Sequence, residues 1–254
     1  MTRRGLSTAG VATAALRILG VAVLATASGG VFAYRPFDST DAAVADPGEF
    51  ELELGPVGRL REGSKRFDIV PAVVANYGIS GERELVLQGE RQVSLDRDAG
   101  EPRSSLVDNE LFIKQVLRDG VLQEKSGVSV ATEYGLLLPD VNGGQGTGFS
   151  VSGIVSQRSD AGTIHLNSSF SYTRSHEPDL FLGLILEGPY SWTVRPVAEV
   201  FGEQASGSPR TESWLVGAIW RARQDLSFDF GVRDAHAGPE RIQEIRVGLT
   251  WSYR

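Results

Sequence analysis

Apolar and polar residues alternate along most of this chain, from about residue 50 to its end. Near the end, for example, Ile245, Val247, Leu249, Trp251 and Tyr253 are each separated by one polar or small residue. Successive side chains of a β-strand point to opposite faces, so this period of two predicts strands with one apolar and one polar face. We predict no helix after residue 33, because no later segment has a clear helical period.

The alternation divides into about twelve segments. They span residues 48–56, 66–78, 82–94, 105–117, 121–138, 148–158, 163–174, 178–187, 190–202, 211–223, 225–233 and 241–253. Most are close to the roughly 9–11 residues that a tilted strand needs to cross a bilayer. The pattern therefore predicts an all-β fold, an antiparallel up-and-down transmembrane β-barrel of about 12 strands.

The predicted connections alternate between short and long. Short connections include residues 79–81, 118–120 and 159–162, whereas 57–65 and 234–240 are among the longer ones. Outer-membrane barrels have short periplasmic turns and longer external loops. We therefore expect both ends of the barrel chain to lie in the periplasm.

Aromatic residues form a second pattern at the predicted strand ends. One group lies near the periplasmic ends (Tyr77, Trp192, Trp220, Trp251 and Tyr253) and another near the external ends (Phe67, Phe149, Tyr172 and Trp214). Aromatic rings prefer the two membrane–water interfaces. A secreted soluble β-sandwich also alternates apolar and polar residues, but it gives no reason for aromatic residues at both strand ends.

The first 33 residues have the features of a secretory signal peptide. Basic residues at Arg3, Arg4 and Arg17 precede a short apolar stretch over residues 18–27, and residues 31–33 fit a signal-peptidase site. A single membrane anchor is the alternative. Arg17 leaves the apolar stretch short for a span, which favours the signal peptide.

Composition narrows the class of protein further. The chain has no cysteine, which excludes disulfides, thiolate metal sites and cysteine catalysis. Its three histidines are too few and too scattered to indicate a zinc site. The formal charge of −7 becomes −10 without residues 1–33, which hold three arginines and no acidic residue, and this acidity argues against a nucleic-acid partner. We expect no cofactor and no metal.

These observations divide the chain into three parts. We expect a cleaved signal peptide over residues 1–33, a periplasmic N-terminal segment over 34–47 and an outer-membrane β-barrel over 48–254. The expected location is the bacterial outer membrane. The expected partners there are outer-membrane lipid, the barrel-assembly machinery during biogenesis and a small-molecule solute.

Several short motifs resemble one family of envelope proteins. They are RPFDSTDA at 35–42, GEFELE at 48–53, NYGI at 76–79, AEVFGE at 198–203 and VGLTW at 247–251. Their order and spacing resemble the MetA-pathway of phenol degradation family, whose members are often described as outer-membrane transporters. The resemblance implies an envelope β-barrel that handles small molecules, aromatic compounds among them.

The charged residues of the predicted strands lie on the face opposite to the lipid. An arginine on the lipid face near the midplane costs about 2–4 kcal/mol, so we expect these side chains in the lumen. The candidate pore or binding residues are Glu110, Lys114, Glu133, Arg195, Glu199, Arg221, Asp229, Arg233, Glu244 and Arg246.

Two functions fit such a lumen. In the first, opposed acids and bases line a passive channel or transporter for small solutes. In the second, the charges pair with one another and fill a non-conducting structural or interaction barrel. The inward positions of Leu137, Val197, Phe201, Leu215 and Ile219 favour partial occlusion. We expect no enzyme, because no nucleophile, base and orienting group come together in the sequence.

Overall fold

A computed structural model describes residues 36–97, 100–144 and 146–254. Within them, the strands are β1 (Phe50–Glu62), β2 (Lys65–Ser80), β3 (Arg83–Ser94), β4 (Ser104–Arg118), β5 (Ser129–Leu137), β6 (Gly148–Ser159), β7 (Gly162–Tyr172), β8 (Pro178–Glu187), β9 (Val194–Ala205), β10 (Thr211–Arg221), β11 (Leu226–Ala237) and β12 (Glu240–Tyr253). The predicted signal peptide, residues 1–33, lies outside the described residues.

The twelve described strands form one closed antiparallel barrel. Each strand pairs with its neighbours in sequence, and β1 closes the sheet by pairing with β12. The closing pair runs from Phe50 opposite Tyr253 to Glu62 opposite Ile242. A closed barrel pairs its backbone groups internally, which a bilayer requires. The predicted antiparallel up-and-down barrel of about 12 strands is confirmed.

The two faces of the sheet differ as the alternation predicts. Leu180, Leu182 and Val216 are exposed on the outside, whereas Ile185 and Ile219 are fully buried inside. An outer surface of apolar side chains suits a bilayer. Among the described residues, no helix has the length and apolarity needed to cross a membrane.

Exposed aromatic side chains lie near both ends of the barrel. We call the end where β1 begins and β12 finishes the terminal end, and the opposite end the loop end. Near the terminal end, Trp220 stacks on Phe228 with ring centroids 5.5 Å apart. Near the loop end, Phe149 and Tyr172 have centroids 6.0 Å apart. These rings lie where the aromatic pattern of the sequence predicts them.

Some strands are longer than the alternation predicts. The loop predicted over 57–65 is a hairpin, because β1 and β2 continue to a turn at 63–64. Gly63 has a φ of +57°, the left-handed conformation that such tight turns favour. This part of the hairpin carries an Arg59–Asp68 ion pair at 2.7 Å where the alternation would require apolar residues, which explains the error.

The predicted alternation of short and long connections is therefore wrong in part. The loop predicted over 234–240 is a second tight hairpin between β11 and β12. At the terminal end, the segment predicted as a strand over 121–138 begins with a 3-10 helix, Val121–Gln123, and becomes a strand only at Ser129. Leu122 of this helix is buried against Ala42, so a tertiary contact determines the local structure.

The N-terminal segment lies inside the barrel. Residues 36–48, called the lumen segment below, extend from the middle of β12, where Arg246 contacts Pro36, to the terminal end. There the Gly48 N–H donates to the Gly78 carbonyl at 2.8 Å. The sequence predicts residues 34–47 as a periplasmic N-terminal segment; of these, the structure describes residues 36–47, which lie within the lumen. The reason is a set of hydrogen bonds to inward-facing side chains, which periodicity does not reveal.

Glycines in the barrel wall make room for this segment. A Cβ atom on Gly183 would lie 2.2 Å from the Ser39 Oγ, and one on Gly78 would lie 2.0 Å from the Asp46 carbonyl oxygen. Both distances are far below an ordinary van der Waals contact. Any larger side chain at these inward positions would therefore displace the lumen segment.

Candidate functional site

A polar cavity of about 1170 Å³ lies in the barrel beside the lumen segment. Its wall includes Glu82 and Lys125 near the terminal end, and Asp108 and Arg174 near the loop end. One cavity therefore borders both ends of the barrel. This geometry is what a route for small solutes requires.

Carboxyl groups outnumber cationic groups around the cavity. Among the described residues that border it, sixteen are Asp or Glu and six are Lys or Arg. The six cationic residues are Lys114, Lys125, Arg158, Arg174, Arg233 and Arg246. A cavity lined mainly by one sign of charge concentrates solutes of the opposite sign, so this lumen favours cations over anions.

Two arginines bind the start of the lumen segment. Arg246 Nη1 donates to the Pro36 carbonyl at 2.7 Å, and Arg246 Nη2 donates to Asp38 Oδ1 at 2.9 Å. Arg246 also donates to Glu244 at 2.8 Å. Arg233 on β11 lies 3.5 Å from Asp38 and 3.5 Å from Glu244. The two arginines and two carboxylates form a network that pairs all four charges.

Glu199 anchors the next part of the segment from β9. Its two carboxylate oxygens accept the N–H of Asp38 at 2.9 Å and the N–H of Ser39 at 2.8 Å. The residue is 2% exposed. Hydrogen bonds to an ionised group are stronger than those between neutral groups. Glu199 therefore holds the lumen segment and does not face open solvent.

Two polar side chains hold the middle of the segment. Asn167 accepts the Thr40 N–H at 3.1 Å and donates to the Thr40 carbonyl at 2.7 Å. Lys114 Nζ donates to Thr40 Oγ1 at 3.1 Å and lies 3.4 Å from Asp41 and 3.7 Å from Glu84. The segment thus crosses the lumen as a chain bound to strands on several sides.

The end of the segment is bound near the terminal end. The Ala42 N–H donates to Ser156 Oγ at 3.1 Å, and Gln123 donates to the Ala42 carbonyl at 2.8 Å. The Ala45 N–H donates to Glu84 at 2.6 Å. These contacts connect the lumen segment to β3, to β6 and to the 3-10 helix.

Glu49 follows directly after the segment, at the terminal end. Burial raises the pKa of Glu49, and the nearby Glu84 carboxylate raises it further. Glu49 therefore belongs to the acidic surroundings of the cavity mouth.

Many of the carboxyl groups that border the cavity lie on β1–β5. Asn76 donates to Glu51 at 3.3 Å and to Glu53 at 3.2 Å, and Gln88 donates to Glu110 at 2.5 Å. Among the described residues of β1–β5 that border the cavity, Lys114 is the only cation. This side therefore presents excess negative charge to a solute.

The structure divides the ten predicted lumen residues between the cavity and the packed wall. Five of them border the cavity, namely Glu110, Lys114, Glu133, Arg233 and Arg246, although Lys114 and Arg246 are also buried. Arg195, Glu199, Asp229 and Glu244 are buried in the wall and do not border this cavity. Arg195 lies 3.5 Å from Glu187. Arg221 is half-buried, with its guanidinium 4.9 Å from the centre of the Tyr190 ring. Contact of any of them with a solute stays a prediction.

The bulky residues predicted inside the barrel are all enclosed. The structure buries Leu137, Val197, Phe201, Leu215 and Ile219. Four of the five belong to β9 and β10, so this part of the wall leaves less open space than the β1–β5 side. The lumen is partly occluded by its own wall as well as by the lumen segment.

A buried serine, histidine and glutamate also come together, on β6, β7 and β8. Ser156 Oγ lies 2.8 Å from His165 Nδ1, and His165 Nε2 lies 3.5 Å from Glu187. Sequence reasoning missed this set because it considered the more distant Ser169. Ser156 has no exposed surface and accepts the Ala42 N–H, so the arrangement acts here in binding the lumen segment.

Sequence reasoning placed Phe201 inside the barrel but missed three residues beside it at the loop end. Asp179 and Phe181 on β8 lie beside Phe201 and Glu203 on β9, and all four border the cavity. The ring centroids of Phe181 and Phe201 are 5.0 Å apart. These residues alternate with the lipid-facing residues of the same strands, and this alternation is the signal that would have identified them.

Comparisons with known proteins support the fold. No protein-family model and no curated protein sequence matches the chain. The COG4313 outer membrane channel from Pseudomonas putida F1 is similar in structure, with a TM-score of 0.58 and 11% identity over 85% of this chain and 98% of that chain. A KdgM porin in complex with disordered oligogalacturonate has a TM-score of 0.51 and 9% identity, over 81% of this chain and 99% of that chain.

Proposed function

We propose that the protein is an outer-membrane channel for small solutes, in which the lumen segment occupies part of the passage. The observation that carries this proposal is the single polar cavity that borders both ends of a closed barrel with an apolar exterior. The similar solved structures are named as a channel and a porin, which supports a transport role.

The proposal includes a location in the bacterial outer membrane. The exposed apolar surface and the aromatic residues near both ends support contact with lipid. Removal of residues 1–33 is part of the proposal as well. Pro36 is buried in the lumen, so an attached leader would have to pass through the remaining space. Insertion by the assembly machinery and membership of the MetA-pathway of phenol degradation family also belong to the proposal.

The lumen segment sets the resting conductance in this proposal. It contacts β3, β4, β6, β7, β9 and β12 from within, so it narrows the passage on several sides. We expect solutes to pass along the β1–β5 side, where the cavity remains. Displacing the segment should widen the route.

Single-channel recording in planar bilayers tests this function. The refolded protein, checked by its gel mobility shift on boiling, should give small conductance steps. Deletion of residues 34–47 should give larger steps. Glu199→Gln, which weakens two hydrogen bonds to the segment, should give more frequent large steps without shortening the chain. Glu212→Gln is the matched control, because Glu212 is exposed on the outside of β10.

The second candidate function is a non-conducting structural or interaction barrel. The paired charges around Arg233 and Arg246, together with the enclosed lumen segment, favour it. The same recordings separate the two functions. Silence from the folded wild type, the deletion variant and Glu199→Gln would contradict the channel and support the closed barrel.

A further inference from the structure

Strands β8 and β9 place two carboxyl groups and two phenyl rings side by side at the loop end of the lumen. Asp179 and Phe181 share the inward face of β8, and Phe201 and Glu203 share that of β9, with Phe181 opposite Glu203 in the strand register. These four residues, called the loop-end site below, all border the cavity. A solute that enters the loop end would meet them before it reached the lumen segment.

The carboxyl groups of the loop-end site lack an ion-pair partner among the described residues. Asp179 and Glu203 are diagonal neighbours in the register of β8 and β9. The cation that acts on Glu203 is Arg233, but Arg233 already lies 3.5 Å from both Asp38 and Glu244. The two carboxyl groups are therefore free to pair with a positive charge from the cavity.

Asp179 gives an independent indication of a ligand. The residue is 6% exposed, and its Oδ1 atom has no hydrogen-bond partner. Buried acceptors in proteins nearly always have a donor, because an unsatisfied one is unfavourable. Asp179 borders the cavity, so the carboxyl group with this unsatisfied oxygen belongs to the wall that a solute would meet.

The phenyl rings determine the chemical class of that solute. The face of an aromatic ring attracts a cation, most strongly where water is excluded. The guanidinium of Arg233 already lies 5.1 Å from the centre of the Phe201 ring, which shows that a cation is accommodated here. Because Arg233 already contacts Phe201, the half-buried Phe181 ring is the one that can contact an apolar group of a solute.

A metal ion fits this arrangement poorly. Ca²⁺ takes six to eight oxygen ligands. Over the part of the chain that the structure describes, no group of three or more residues suited to metal binding is found. Two carboxyl groups beside two rings suit an ammonium group on an apolar body better.

We infer that the loop-end site binds small organic cations, namely amines with an aryl or alkyl body. The ammonium group would lie between Asp179 and Glu203, and the apolar body would lie against Phe181. Ser171 and Ser169 on β7 lie opposite Asp179 and Phe181 and offer hydroxyl acceptors for the remaining N–H groups. The inference rests on the proposed function, since it names the solute class that the channel would admit, but binding itself does not require conduction.

Equilibrium dialysis against the folded barrel in detergent tests the site. The probes are phenethylamine, its neutral counterpart 2-phenylethanol and its anionic counterpart phenylacetate. We expect the amine to bind at least about tenfold more tightly than either counterpart. Equal binding of the three probes, or displacement of the amine by equimolar Mg²⁺, would overturn the assignment.

Variants locate the binding within the lumen. Asp179→Asn combined with Glu203→Gln should weaken amine binding about tenfold or more, and Phe181→Leu should weaken it about threefold. Glu212→Gln, an exposed carboxylate on the outside of β10 at the same end, should bind as the wild type does. Unchanged affinity in a folded double variant would refute the site.

Dialysis and conductance separate the two proposals. A folded barrel that binds the amine but never conducts would contradict the channel and leave the site intact. A conducting barrel with no preference for the amine would contradict the site and leave the channel intact. The gel mobility shift on boiling confirms folding of each variant before either measurement.

Discussion

Between the loop-end site and the terminal end, the β9–β12 side of the lumen is closed by paired charges, whereas the β1–β5 side is open to the cavity. On the closed side, Arg233, Arg246 and Glu244 pair with one another and with Asp38 of the lumen segment. On the open side, Lys114 is the only cation among the described residues of strands β1–β5 that border the cavity. The strands on both sides have the same alternation of apolar and polar residues. The role of an inward charged residue therefore depends on whether the lumen segment lies against it.

The lumen segment explains this asymmetry. At its start Pro36 packs over Gly231, where a Cβ atom would lie 3.1 Å from the proline ring. The carboxylate of Asp38, two residues later in the segment, pairs with the positive charges of Arg233 and Arg246. The ion pairs of Arg246 with the buried Glu244 and with the partly exposed Asp38 bind the segment to this wall and leave the opposite wall open to the cavity.

The closed side should be the more sensitive to loss of a charge. Arg246→Met leaves the buried Glu244 and the partly exposed Asp38 with one arginine between them, so we expect the free energy of unfolding to fall by about 3 kcal/mol. Urea unfolding followed by tryptophan fluorescence measures it. Arg210→Met removes an exposed ion pair with Glu212 and should leave the midpoint unchanged. Equal effects of the two variants would contradict the buried network.

A larger side chain at Gly183 should release the lumen segment from the closed side. Because the chain lacks cysteine, Ala42→Cys gives a single thiol in a buried position. We expect Gly183→Val to raise its rate of maleimide labelling about tenfold, since local opening controls access to the thiol. Gly153→Val is the control, because its Cβ would lie 3.8 Å from its nearest neighbour. Slow labelling in both backgrounds would mean that the wall does not hold the segment.

The open side should determine ion preference. Glu110→Gln and Glu133→Gln each remove a carboxylate from the cavity wall, so we expect the cation-to-anion permeability ratio to fall about twofold. Arg195→Ala should change the ratio less, because Arg195 is buried beside Glu187. Reversal potentials in a salt gradient measure the ratio. If Arg195→Ala changed the permeability ratio more than the two glutamate variants did, the β1–β5 side would not be the side that determines ion preference.

The hairpin beyond the barrel wall should contribute least. Two hydrogen bonds from Arg66, at 2.7 Å each, lower the pKa of Asp96. A carboxyl with a lowered pKa stabilises the folded state above its unfolded pKa, and the contribution is lost as pH falls through the folded pKa. Asp96→Asn should therefore shift the urea midpoint slightly at pH 7, and the shift should shrink as the pH falls below the ordinary Asp pKa of about 3.9. A shift that persists at low pH would contradict the electrostatic origin.

The alternation of inward and outward residues along each strand predicted much of the barrel. It placed Leu182 outside and Ile219 inside, and the structure agrees. It failed at strand ends, where the β1–β2 hairpin continues past residue 57 with charged residues. Apolar and polar residues alternate in these strands because one face contacts lipid. The alternation disappears where a strand extends beyond the lipid.

The candidate site was less accessible to prediction. Parity selected Glu110, Glu133 and Glu199 equally, although the first two border the cavity and Glu199 binds the lumen segment. The distinction depends on residues 36–48, which have no repeating pattern and are bound to strands on several sides by a few hydrogen bonds each. Such contacts leave no periodic trace in a sequence.

The sequence by itself determined which face of each strand meets lipid, because that choice depends only on neighbours two residues away. Only the tertiary structure decided which inward charges are paired and which face a solute. Asp38 and Arg246 are 208 positions apart, and they meet because closure of β1 against β12 brings the start and the end of the chain to one wall. A contact between residues so far apart in sequence depends on the closed barrel and on the lumen segment inside it. Local periodicity carries no information about the closure or about the position of the segment.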